Sequence, residues 1–253
     1  MTQQDDNNIS VPWVASPPRL DCGDDASQSA AVLLSKETAK LVLLDPEVLR
    51  DIPAHFQPSH IAPIIPKELG SSLDYRAKYD FSWDEKNLYV KVDVNDPDLD
   101  NNFPSFSEKQ HLKSSSGGFL PDILYHSVAL IVADTTPIQA GNNQTGRYTT
   151  EMRLFIRPPL AKKPLWTFFG RTADEEDFHP LGGTVVACPA GPTGFTLKFA
   201  AAWLSSGFWQ PNAGTRAVLN LMAPRPLSPK LSMNQRAANA YTLQRSITIT
   251  LRK

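Results

Sequence analysis

The stretch YRAKYDFSWDEKNLYVKVDVN, residues 75–95, decides the fold. Tyr75, Ala77, Tyr79, Phe81 and Trp83 alternate strictly with Arg76, Lys78, Asp80, Ser82 and Asp84. Successive side chains of a strand point to opposite faces, so this alternation lines five apolar groups along one face. Asp84, Glu85, Lys86 and Asn87 supply turn chemistry. Leu88, Val90, Val92 and Val94 then alternate with Tyr89, Lys91, Asp93 and Asn95. Two amphipathic runs joined by a short polar link predict an antiparallel hairpin.

The same logic extends outward. Ser127 to Ala133 is apolar on both faces, as a central sandwich strand would be. Met152, Leu154 and Ile156 alternate with Glu151, Arg153 and Arg157, and Phe195, Leu197 and Phe199 alternate with Thr196 and Lys198. Ala217, Leu219 and Leu221 read as another doubly covered strand, and Ile247, Ile249 and Leu251 close the chain. Asp45-Pro46-Glu47 combines an N-cap, a proline at the first helical position and a first-turn acid, predicting a short helix through about Asp51. Together these predict an all-β chain, a two-sheet antiparallel β-sandwich of jelly-roll or immunoglobulin-like type. Long loops and one or two short helices complete it. Residues 1–18 read as a polar tail whose Trp13 is suited to dock, and residues 19–253 as a single domain.

Composition narrows the function classes. The 253 residues carry 25 Lys+Arg against 26 Asp+Glu, so no cationic excess exists to drive nucleic-acid binding by counterion release. No apolar run approaches the roughly 20 residues of a membrane span, which argues against insertion. The acidic, polar start does not read as a secretory signal. Cys22 and Cys188 stand far apart in unrelated contexts and read as two reduced thiols. Cytoplasm is therefore the expected compartment, with extracellular delivery by signal-independent export as the other reading. Proline is unusually frequent, 22 residues against 13 glycines. Its positions, Pro224, Pro226 and Pro229 among them, read as loop stiffeners outside the strands.

Long insertions at 96–124, 137–148, 158–183 and 223–240 are where function should sit. The chain has no Gly-x-Ser-x-Gly elbow, no His-Glu-x-x-His, no phosphate-binding glycine loop and no Cys-x-x-Cys pair. Asp96, Asp98 and Asp100 concentrate hard oxygen ligands in one loop, which suits calcium, although an EF-hand frame fails at Asn101 and Ser107. The other reading of that loop is a solvated Asp/Asn turn. Trp166, Phe168 and Phe169 cluster ahead of an acidic run and His179, and Phe208-Trp209 forms a second aromatic pair. Aromatic faces on loops stack against the C–H faces of sugars, so these six residues are the candidate ligand-binding set. Alternate core residues of one more strand are the competing reading for Trp166 and Phe168.

The hairpin from Phe81 to Asp98 resembles the hallmark Trp-Asp-x-x-x-Leu-Tyr-Val strand pair of family 9 carbohydrate-binding modules and their relatives. His126 to Asp134, Gly194 to Trp203 and Gly214 to Leu221 are similar to later family strands, in the family's order. The resemblance spans roughly residues 18–251 and implies a sandwich that binds sugars through tryptophans, often with structural calcium. Acidic family positions are His126, Ala129 and Lys198 here, and the Ile-Pro before Trp203 is Ala201-Ala202. Met152 and His126 could supply the axial pair of the related haem-binding sandwiches.

Three functions follow as expectations. The first is a non-catalytic carbohydrate-binding module, with Trp166 and Trp209 stacking on a sugar and Asp96, Asp98 and Asp100 holding calcium. The second is a protein-interaction module on the same scaffold: an adaptor, a secretion accessory or a toxin-neutralising partner. The third, an enzyme, would need a pocket around Phe168 and His179, and no motif supports it.

Overall fold

The computed structural model describes residues 8–23, 28–44, 74–97, 99, 128–134, 150–157, 165–172, 177–203, 211–226 and 240–253. The helix expected through Asp51 and most of the 96–124 insertion lie outside them. Thirteen strands run through the described residues: β1 (Asn8–Pro12), β2 (Ala30–Ser35), β3 (Lys40–Leu44), β4 (Arg76–Trp83), β5 (Asn87–Asn95), β6 (Val128–Asp134), β7 (Glu151–Arg157), β8 (Leu165–Arg171), β9 (His179–Pro180), β10 (Gly183–Pro189), β11 (Gly194–Ala202), β12 (Arg216–Pro226) and β13 (Ala240–Arg252). They form a five-stranded sheet, β10-β11-β5-β4-β2, and an eight-stranded sheet, β1-β13-β12-β6-β7-β8-β9, with β3 on β13. Every ladder is antiparallel except β1 with β13. The expected two-sheet antiparallel β-sandwich is the fold.

The hairpin anchors it. β4 and β5 pair from Arg76↔Asn95 to Trp83↔Leu88, and Tyr75, Ala77, Tyr79, Phe81 and Trp83 are all fully or almost fully buried. Burying each large apolar side chain contributes about 1.5–3 kcal/mol, so this one face holds much of the sandwich together. Asp84 ties the turn. Its Oδ1 accepts the N–H groups of Lys86 and Asn87, both at 2.7 Å, while its own N–H donates to the Asn87 carbonyl at 3.0 Å. Trp203 pins the same turn from β11: its Nε1 donates to the Asp84 carbonyl at 2.9 Å and its N–H to the Lys86 carbonyl at 3.0 Å.

The facing sheet supplies Val128, Leu130, Val132, Met152, Leu154, Ile156, Leu219, Leu221 and Ile247 to the same core. The outward residues Ala129, Ile131 and Ala133 are buried too, as a doubly covered β6 requires.

Several elements depart from the sequence reading. Part of the stretch read as tail is β1, which extends the eight-stranded sheet along Thr248–Arg252. Trp13 follows it, donates its N–H to the Arg252 carbonyl at 2.7 Å and bridges to Trp83. The 158–183 insertion contains β8 and β9. Pro224 and Pro226 are strand residues, paired with Thr242 and Ala240. They are tolerated because β6 pairs with β12 only as far as Met222. Beyond that point β12 is locally an edge, where a missing N–H breaks no ladder bond.

The reduced cysteine pair is also overturned, since Cys22 and Cys188 form a disulfide. After Trp13 the chain leaves the sandwich edge and crosses the outer face of the five-stranded sheet as a strap. The strap brings Cys22 to β10, a proximity that a separation of 166 residues gives no hint of.

Candidate ligand-binding surfaces

Two surfaces stand out, one expected and one not. The expected one lies at the β8 edge. Trp166, Phe168 and Gly170 project to one side of β8, because they pair with Ile156, Leu154 and Met152, all core residues. Phe168 is 2% exposed and packs on Phe199 with ring centroids 5.8 Å apart. It is a core residue, so its ring is not free to line the pocket that the enzyme reading placed around it and His179. Gly183 explains how tightly β10 closes over that ring: a Cβ there would meet Phe168 Cε2 at 2.5 Å and the Ala200 carbonyl at 2.7 Å. Trp166 is 37% exposed, its ring 4.7 Å from that of Phe168 and tilted by 40°. An exposed indole backed by a fixed phenyl ring is a preformed stacking platform.

His179 is exposed and pairs with Gly170, which puts it on the same side as Trp166 but four residues further along the strand. At about 3.3 Å per residue that is roughly 13 Å, too far to share one sugar ring. Phe169 points to the other side of β8 and is half-buried. Phe208 and Trp209 lie outside the described residues.

On that outer side, β7 and β8 carry a buried ion network. Glu151 Oε1 accepts from Arg153 Nε at 3.1 Å and Nη2 at 2.8 Å, and pairs with Arg171 Nη2 at 3.0 Å. The Phe178 ring lies 4.4 Å from the Arg153 guanidinium and 4.6 Å from that of Arg171. One carboxylate shared by two guanidiniums, both against one aromatic ring, makes a structural knot.

Of the proposed calcium ligands, Asp96 is fully buried at the end of β5, its N–H donating to the Thr193 carbonyl at 2.7 Å. Asp98 and Asp100 lie outside the described residues. Neighbouring Asp93 accepts from Thr196 Oγ1 at 2.7 Å and pairs with Lys91 at 3.0 Å. Asp96 alone offers a small part of the six to eight oxygens that calcium takes.

The unexpected surface is the outer face of the five-stranded sheet. Alternation sends Lys78, Asp80 and Ser82 of β4 outward, with Tyr89 and Lys91 of β5 and Lys198 and Ala200 of β11. Register aligns them in rows, Asp80↔Lys91↔Lys198 and Ser82↔Tyr89↔Ala200. The strap lies across these rows. Val14 and Leu20 pack on Tyr89 and Ala200, and the Cys22–Cys188 bond ties its far end. Asp21 bends it, accepting the Gly23 N–H at 2.9 Å and Arg19 Nη2 at 2.7 Å. The Gly23 N–H, then Arg19, hold its carboxyl below the usual carboxylate range.

Between strap and sheet is a cavity of about 210 Å³, lined by Arg19, Ser29, Lys78, Asp80, Ser82, Tyr89, Lys91 and Lys198 among others. Tyr89 forms one wall with its hydroxyl turned away, donating to Asp84 Oδ2 at 2.7 Å. Burial first, and that carboxylate second, push its phenol up to about 12. The cavity's residues come from β4, β5, β11 and the strap, so local sequence pattern shows only their shared outward alternation.

The described residues thus define a two-sheet antiparallel β-sandwich with an indole platform at one edge and a polar cavity on one face. No family model matches the chain, and no curated protein matches it. Among solved structures it is similar to a family 9 carbohydrate binding module (CBM9) from Caldicellulosiruptor kristjanssonii. The cellotriose complex is 11% identical with a TM-score of 0.41, the match covering 97% of this chain and 93% of that one. The glucose complex is 12% identical with a TM-score of 0.42, covering 97% and 95%. A carbohydrate-binding candidate from Bacteroides uniformis is 8% identical with a TM-score of 0.41, covering 97% and 99%. The architecture rests on the strand pairing above, not on these likenesses.

Proposed function

We propose that the protein is a non-catalytic carbohydrate-binding module whose ligand stacks on Trp166. The observation that carries this reading is the Trp166 ring, held over Phe168 and open to solvent at the edge of β8. A sugar presents an apolar C–H face to such a ring, and an edge position leaves room for a chain to continue on either side. The resemblance of the β4–β5 hairpin to the family 9 hallmark supports the same reading. Phe208 and Trp209 enter it as a second candidate platform, to be tested by substitution. The Cys22–Cys188 disulfide supports placing the working protein in an oxidising compartment, where such bonds persist. The test is a titration with neutral mono- and disaccharides of glucose, galactose and mannose, read by tryptophan fluorescence. Binding should be lost in Trp166→Ala and kept in Phe169→Ala; no response to any sugar removes the proposal.

A further inference from the structure

The cavity under the strap is a different place from the Trp166 platform, and the inference drawn from it does not depend on sugar binding at β8. Its floor breaks two ordinary rules of sheet design. Lys198 faces Lys91 directly across the β11–β5 ladder, although like charges opposite one another destabilise a strand pair. Lys198 is also only 5% exposed, although a buried ammonium group is costly unless it is paired.

The neighbouring cations have carboxylate partners: Arg19 with Asp21, Lys78 with Asp80, and Lys91 with Asp93. Lys198 has none. Its ammonium donates to the Gly23 carbonyl of the strap, a neutral acceptor. Asp21 feels its charge, but Arg19 and the Gly23 N–H occupy that carboxylate. A second polar group, Ser82 of β4, lines the same cavity and is only 3% exposed.

A desolvated cation with no ion-pair partner among the described residues and a hydroxyl lining the same cavity are what a bound anion would complete. We infer that the cavity binds a small polyhydroxylated anion of monosaccharide size. Its anionic group sits on Lys198, its hydroxyls reach Ser82 and Asp80, and its apolar side lies against the Tyr89 ring. A uronate carboxylate and a sugar phosphate share this chemistry. The volume of about 210 Å³ falls below the roughly 300–1,000 Å³ of drug-sized pockets, which limits the occupant to one such ring. The strap is part of the site, since it supplies Arg19 and the wall opposite the sheet.

The test is calorimetry and two-dimensional NMR on the full oxidised chain. The probes are D-glucuronate, D-galacturonate and glucose 6-phosphate, with glucose as the neutral control. At least one acidic probe should bind, with shifts centred on Ser82, Tyr89 and Lys198. Lys198→Met should weaken it tenfold or more, Lys198→Arg should retain it, and glucose should not compete. Uronate binding identifies a carboxylate ligand and phosphate binding a phosphorylated one; either supports the site. Raising salt from about 50 to 500 mM should weaken binding in the unmodified chain, a readout independent of how any variant folds. Trp166→Ala should leave the acidic probe bound, so failure of the platform and failure of the cavity are told apart. The inference is overturned if no acidic probe shifts these residues, if salt has no effect, or if Lys198→Met binds as tightly as the parent.

Discussion

Lys91 and Lys198 are direct cross-strand neighbours on the outer face of the five-stranded sheet. The arrangement works against stability, so its removal should show as a gain. Lys198→Met keeps the length of the side chain and deletes one of two facing charges. Thermal unfolding should stay unchanged or shift upward by an amount equivalent to at most about 1 kcal/mol. A clear loss of stability would mean that the Lys198 bond to the Gly23 carbonyl is a structural clasp.

Tyr89 and Asp84 make an alkaline signature. The Tyr89 phenol is pushed from 10.0 to about 12, so the folded chain holds this proton more tightly than the unfolded chain does. The stability linked to it is complete below pH 10 and is lost as pH rises towards 12. In an ultraviolet titration Tyr89 should ionise near pH 12, and Asp84→Asn should move it down. Ionisation of every tyrosine near pH 10 would contradict the buried hydrogen bond.

The disulfide closes a loop across 166 residues of sequence. Cross-links of this reach restrict the unfolded chain, so Cys22→Ser with Cys188→Ser should cost about 2–5 kcal/mol. Denaturant unfolding with and without reductant measures it. Reduction should also free the strap and raise solvent exchange at the Val14, Tyr89 and Ala200 amides, while the β6–β7 core stays protected.

Phe168 and Trp166 sit on one side of β8 and should separate stability from binding. Phe168→Ala removes a ring packed between Phe199 and Gly183, and should cost about 3–5 kcal/mol. Trp166→Ala removes a partly exposed ring and should cost well under half of that. Equal losses on chemical denaturation would place Trp166 in the core.

The elements legible in the sequence are those whose alternation carries the information. Residues 75–95 announce themselves because five consecutive odd positions are apolar and the turn is polar throughout. β2 does not: Ala30, Ala31, Val32, Leu33 and Leu34 are all apolar, so period two disappears. β10 begins at Gly183 and ends at Pro189, both of which read as loop residues. Trp166 and Phe168 were read together as candidate ligand contacts, but the facing β10 decides which of the two is covered. Lys198 is legible as an outward-facing strand position and as a departure from a family acid. That it faces Lys91 beneath a strap follows from register and from the Cys22–Cys188 bond, and neither is written in local pattern.

Sugar stacking at the β8 edge can be followed at the Trp166 indole N–H by NMR while neutral disaccharides are added. That resonance should shift saturably with at least one disaccharide, and binding should be abolished in Trp166→Ala with the fold intact. Undiminished binding in Trp166→Ala, or an indole resonance unmoved by every sugar, would contradict it.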